Sequence, residues 1–183
     1  MNASVTLQQQ FDLEELVALA GFDIEQGQYE QALRKLKQVI TEQSPPPPAL
    51  AITARLYAQL GLFNKAQLLF QAYLRHHPQA ELENFQLGMS FFEQNEFERA
   101  SQSWEIVLQH NPHYAPALFY KGLALSRQNR NADAIVILEH LIKQVPGDNL
   151  YFRQAKEILN ALQSGRPTAA TVIPFAKDVY KSE

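Results

Sequence analysis

Ala32, Ala66, Ala100 and Ala134 follow one another at intervals of 34 residues, and this interval constrains the fold more than any other feature of the chain. Self-similarity at a fixed period of a few tens of residues marks a repeat architecture, in which each unit is one supersecondary element stacked on the next. Other positions keep the same register. Twelve residues before each alanine stands a small residue: Ala20, Ala54, Gly88 or Gly122. Three before it stands Tyr29, Phe63, Phe97 or Asn131, and four after it stands Leu36, Phe70, Trp104 or Leu138. Twelve after it stands Ser44 (with Pro45 beside it), Pro78, Pro112 or Pro146.

These residue types predict two amphipathic helices per unit, joined by a short turn. The turn is Gly27-Gln28, Gly61-Leu62, Asn95-Glu96 or Asn129-Arg130, and Gly and Asn tolerate the left-handed conformation that ends a helix. Two small residues facing each other let the helix backbones approach closely, and the bulky residues fill the space that remains. The proline stops the second helix and presets the next turn. A lone hairpin cannot bury both of its faces, so like hairpins must stack into a continuous core.

On these residues the chain resembles the tetratricopeptide repeat family. The resemblance implies an all-α fold, a right-handed α-solenoid of helix-turn-helix hairpins, with units at 13–46, 47–80, 81–114 and 115–148 and a capping helix over 149–163. Residues 1–12 then form an N-terminal segment and residues 164–183 a C-terminal tail. The chain departs from the family pattern at Asn131, where an aromatic is usual, and at Leu16, Leu50, Asn84 and Leu118, where the family often has Trp. The first unit lacks its proline at the expected slot and carries Asp23 where an aromatic is common.

Two stretches break the pattern. Pro45 to Pro48 form a stiff run that cannot continue a helix. Because the period passes through it unchanged, it is expected to be an inter-repeat turn rather than a ligand for a proline-recognising domain. Gly165 and Pro167 end the capping helix. The tail beyond them carries Val172, Ile173, Phe175, Val179 and Tyr180, more apolar than a solvated end requires. It either frays or docks on a groove of its own or a neighbouring copy.

Composition narrows the functions. With a net charge of −3 and no block of Lys and Arg, the chain has no electrostatic footprint for nucleic acid. It has no cysteine, which removes disulfides, thiolate metal sites and cysteine nucleophiles. No apolar run approaches the roughly 20 residues of a membrane span, and the N-terminus has no signal-peptide pattern. A cytoplasmic protein without direct membrane insertion is therefore expected. There is no Gly-rich phosphate loop, HExxH or nucleophile elbow. Glu93 with Glu96, and Glu14 with Glu15, read as solvated helix faces rather than acid–base pairs. Arg34, Lys35 and Lys37, interleaved with Leu33 and Leu36, read the same way. His76, His77, His110 and His113 sit near unit ends, where a helix C-terminus favours cationic groups, and His140 stands alone in mid-helix, where exposure is expected. No catalytic residue, cofactor or metal site is expected.

In the family the first helix of each unit lines a concave surface, chiefly through the fifth, ninth and twelfth residues of the unit. The resemblance therefore implies a groove lined by Val17, Ile24, Arg55, Phe85, Met89, Phe92, Phe119 and Leu123. Phe85, Met89 and Phe92 are spaced four and three apart, on one face of a helix. Stacking between helices is the competing role for Phe85 and Phe119. Members that clamp a C-terminal carboxylate place Lys, Asn and Arg at the fifth and ninth slots, where this chain has only Arg55. An apolar groove suits an amphipathic helix or extended apolar peptide of a partner protein. Full burial of each such side chain is worth about 1.5–3 kcal/mol before association costs. The expected function is a protein-interaction module, an adaptor or assembly factor. The alternatives are a dedicated chaperone for a secreted or membrane protein and a self-associating homo-oligomeric scaffold.

Overall fold

The computed structural model describes residues 11–164. The expectations that fall on most of the N-terminal segment and on the tail from Gly165 lie outside the described residues. The described residues form helices joined by short turns, and the chain divides into two compact units at His77/Pro78.

In the first unit, α1 (Leu13–Glu25) pairs with α2 (Tyr29–Ile40), and α3 (Pro47–Gln59) pairs with α4 (Phe63–Leu74). Asp12 and Glu15 form a reciprocal capping box that satisfies two backbone donors at the start of α1. The proline run ends inside a helix: Pro46 is the N-cap and Pro47 the first residue of α3. The missing N–H of proline costs nothing at that position. Ala20, Ala32, Leu36 and Leu56 form one core cluster, and Leu16, Val39 and Ala49 another. Gln59 Nε2 donates to the Tyr29 hydroxyl at 3.1 Å, tying the end of α3 to the start of α2.

In the second unit, α5 (Glu81–Phe92) pairs with α6 (Phe97–His110), α7 (Ala115–Arg127) pairs with α8 (Asn131–Gln144), and α9 (Leu150–Gln163) packs on α8 and α7. The facing small residues are buried in every hairpin, from Ala20 and Ala32 to Gly122 and Ala134. Leu36, Phe70, Trp104 and Leu138 are fully buried in their common slot.

The four expected turn residues all adopt positive φ: 72° at Gly27 and Gly61, 61° at Asn95 and Asn129. The residue after each donates its N–H to a carbonyl five positions back: Gln28 to Asp23, Leu62 to Tyr57, Glu96 to Phe91 and Arg130 to Leu125. This closes each helix with the same Schellman-type cap.

Candidate functional site

The expected ligand-facing residues fall into two groups. In the first unit, Val17 and Ile24 are half-buried against the two core clusters. Arg55 is also half-buried and holds an interaction of its own. In the second unit, Phe85, Met89 and Phe92 lie along α5, and Phe119 and Leu123 along α7. All five have between 0 and 5% of their surface exposed. These positions are buried, as the competing role between stacked helices requires for Phe85 and Phe119, and not openly exposed.

Aromatic packing accounts for much of the closure. The Phe85 ring lies edge-on to Tyr114 at 5.5 Å and also meets Trp104 and Tyr120. Phe92 packs against Phe97, Trp104 and Tyr120. Phe119 meets Tyr120 at 5.3 Å and Tyr151 of α9 at 5.5 Å. Such contacts add to area burial by about 0.5–1.5 kcal/mol per pair. These rings reach across to neighbouring helices instead of standing free. Burial extends all round α5, where every residue from Glu83 to Phe92 is buried, including Glu83, Asn84, Gln86 and Ser90.

Burial also governs the titratable groups here. The Tyr114 hydroxyl is pushed up to about 12 by desolvation, with the charges of Glu81 and Tyr151 adding to it. Desolvation likewise raises Tyr120 and Tyr151. Glu93, at the end of α5, is raised above its ordinary value by desolvation, and its Oε1 is buried without a hydrogen-bond partner.

Glu93 is therefore not on a solvated helix face, and two other expectations change. Lys35 is not a solvated cation: it forms an ion pair with Asp23, which explains a carboxylate where the repeat usually has an aromatic. His140 is not isolated, for it stacks on His113 at 6.2 Å and is half-buried. Among the described residues no group of three or more His, Cys, Asp or Glu could hold a metal ion. No helix among them is long and apolar enough to cross a membrane.

A second surface feature went unseen in the sequence. A cleft of about 390 Å³ opens between α6, α7 and α8. Leu125, Val136 and Ile137 supply its apolar wall, and Glu98, Glu105, Lys121, Arg130 and Asp133 its charged rim. Lys121 pairs with Glu105, and Arg130 pairs with Asp133 at 2.8 Å and Glu98 at 4.0 Å. The period displayed these residues one by one but not their convergence from three helices.

Two family models described as tetratricopeptide repeat match residues 23–86 and 85–149, together well over half of the chain. Among solved structures, a tetratricopeptide repeat protein from Parabacteroides merdae is similar at 19% identity and a TM-score of 0.74, over 84% of this chain and 60% of that one. This chain thus spans three-fifths of that protein's length. A structure of MamA is similar at 20% identity and a TM-score of 0.77, over 84% of this chain and 81% of that one. MamA from Desulfovibrio magneticus RS-1 is similar at 19% identity and a TM-score of 0.71, over 83% and 93%. At such identities the likeness establishes the fold, an all-α solenoid of helix hairpins. Comparison with curated proteins returns no match.

Proposed function

The chain belongs to the tetratricopeptide repeat family, and on that premise we propose that it is a cytoplasmic protein-interaction module without chemistry of its own. It binds an apolar segment of a partner protein on the face that α5 and α7, the first helices of the hairpins in the second unit, present. The hairpins are taken as 13–46, 47–80, 81–114 and 115–148, closed by 149–163. Phe85, Met89, Phe92, Phe119 and Leu123 provide the apolar contacts there; Val17, Ile24 and Arg55 hold the corresponding slots of α1 and α3 in the first unit.

The observation that carries this reading is the placement of Phe85 with Phe119 and of Met89 with Leu123 in equivalent slots of α5 and α7, with Phe92 on the same face of α5. An apolar stripe of this size is costly to leave in water. Whatever the rings of the neighbouring helices leave uncovered needs a further cover in the absence of a partner. The segment 165–183 supplies one in this proposal, because Val172, Ile173, Phe175, Val179 and Tyr180 give it the apolar content. The tail is then an internal ligand that a partner displaces. The linkage works both ways: whatever the tail contributes by covering the face, the partner must exceed.

The experiment uses a labelled synthetic peptide of residues 165–183 and fluorescence anisotropy. The full chain with Ile173→Asp and Phe175→Asp in its own tail binds the peptide at least tenfold more tightly than the wild-type chain does. Equal binding by both, or binding by neither, overturns the tail as the occupant of this face.

A further inference from the structure

The two most exposed large apolar side chains among the described residues are Leu68, at 68%, and Val136, at 65%. They lie 68 residues apart, two full periods, and so occupy the same slot on the second helix of their hairpins. The other two residues in that slot are the polar Arg34 and Gln102. Val136 stands at the cleft between α6, α7 and α8, whose rim holds three carboxylates (Glu98, Glu105, Asp133) against two cations (Lys121, Arg130). Arg130 is shared by two of those carboxylates, so the rim keeps a surplus of negative charge.

The register counterparts in the first unit carry the opposite net charge. Glu98, Gln102, Glu105 and Asp133 correspond to Glu30, Arg34, Lys37 and Lys65. There one carboxylate stands against three cations, all exposed. Arg34 bonds Glu30 at 2.6 Å, and Lys65 lies over the Tyr57 ring at 5.5 Å, leaving a positive surplus around the projecting Leu68. An apolar knob in a basic surround and an apolar-walled cleft with an acidic rim are complementary in both respects.

We propose that the two surfaces meet between copies: Leu68 of one chain seats in the α6–α7–α8 cleft of a second chain, its basic neighbours facing the carboxylate rim. The contact is heterologous, since it joins different surfaces of the two copies. Each added copy leaves one knob and one cleft free, so assembly continues head to tail unless it closes into a ring. The inference does not rest on the groove reading, because none of the groove residues takes part in the contact.

A charge swap tests it. Variant one carries Glu98→Lys and Asp133→Lys; variant two carries Arg34→Glu and Lys65→Glu. All four positions are exposed, and unchanged helical circular dichroism verifies folding. In sedimentation velocity at low salt, the wild-type chain assembles with rising concentration and does so less at high salt. Each variant alone stays monomeric, and an equal mixture of the two assembles again, because the reversed rim now faces the reversed knob. A wild-type chain that is monomeric throughout, variants that assemble as the wild type does, or a mixture that stays monomeric would each overturn the contact. The Ile173→Asp, Phe175→Asp chain assembles like wild type, so failure of the tail and failure of this interface are read separately.

Discussion

Trp104 lies directly over Gly88: a Cβ built on Gly88 would come within 2.3 Å of the indole Nε1. That same Nε1–H donates to the Phe85 carbonyl at 3.2 Å. The glycine therefore serves two ends, close approach of α5 to α6 and a hydrogen bond for the one buried polar atom of the indole. In the next hairpin Leu138 takes the place of Trp104, and a Cβ on Gly122 would come within 2.6 Å of it.

Gly88→Ala thus lowers stability. Alanine gains about 1 kcal/mol of helix propensity over glycine, but overpacking against a fully buried indole costs about 1–3 kcal/mol, and the displaced Nε1 loses its carbonyl. Gly21 has nothing within 4 Å of an added Cβ, so Gly21→Ala raises stability by about 0.5–1 kcal/mol. Urea midpoints of the two variants, moving in opposite directions, check the pair.

At Asn95 and Asn129 the backbone has φ of 61°, where a residue with a Cβ is strained unless it is Asn or Asp. Asn95→Ala destabilises by about 1 kcal/mol, while Asn95→Gly is neutral or stabilising. Thermal unfolding of the two variants against wild type shows the order.

The turns and helix crossings were legible because each is set by a local requirement that the repeat displays four times. A left-handed turn selects Gly27, Gly61, Asn95 and Asn129, and a close crossing selects Ala32, Ala66, Ala100 and Ala134. The state of Met89 and Leu123 was not legible, because spacing places a side chain on a face without saying what covers that face. The Asp23–Lys35 pair was missed for the opposite reason: it occurs once, outside the repeating pattern, and a lone charge in a helix reads as solvated until its partner is seen. The α6–α7–α8 cleft needs residues from three helices at once, and only their convergence makes it a surface.

Glu93 gives a pH signature. Desolvation raises its folded-state pKa above the ordinary value near 4.5, so the protonated form favours the fold. That contribution is present below the ordinary value and is lost as pH rises through the raised one. Glu93→Gln is accordingly more stable than wild type at neutral pH, and the two converge in acid. Unfolding midpoints across pH 4 to 7 follow this sign; a glutamine variant less stable at neutral pH would show that the carboxylate makes a favourable charged contact.

The claim that the α5–α7 face is a ligand surface covered by the chain's own tail is tested most directly at Met89, one of only two methionines in the chain and 3% exposed. Peroxide converts an accessible methionine to the sulfoxide, and mass spectrometry reads the rate at Met89 apart from Met1. Met89 is expected to oxidise slowly in the wild-type chain and about tenfold or more faster with Ile173→Asp and Phe175→Asp, with helical content unchanged. Equal protection of Met89 in both chains would contradict it, placing the side chain in the permanent core of the hairpins.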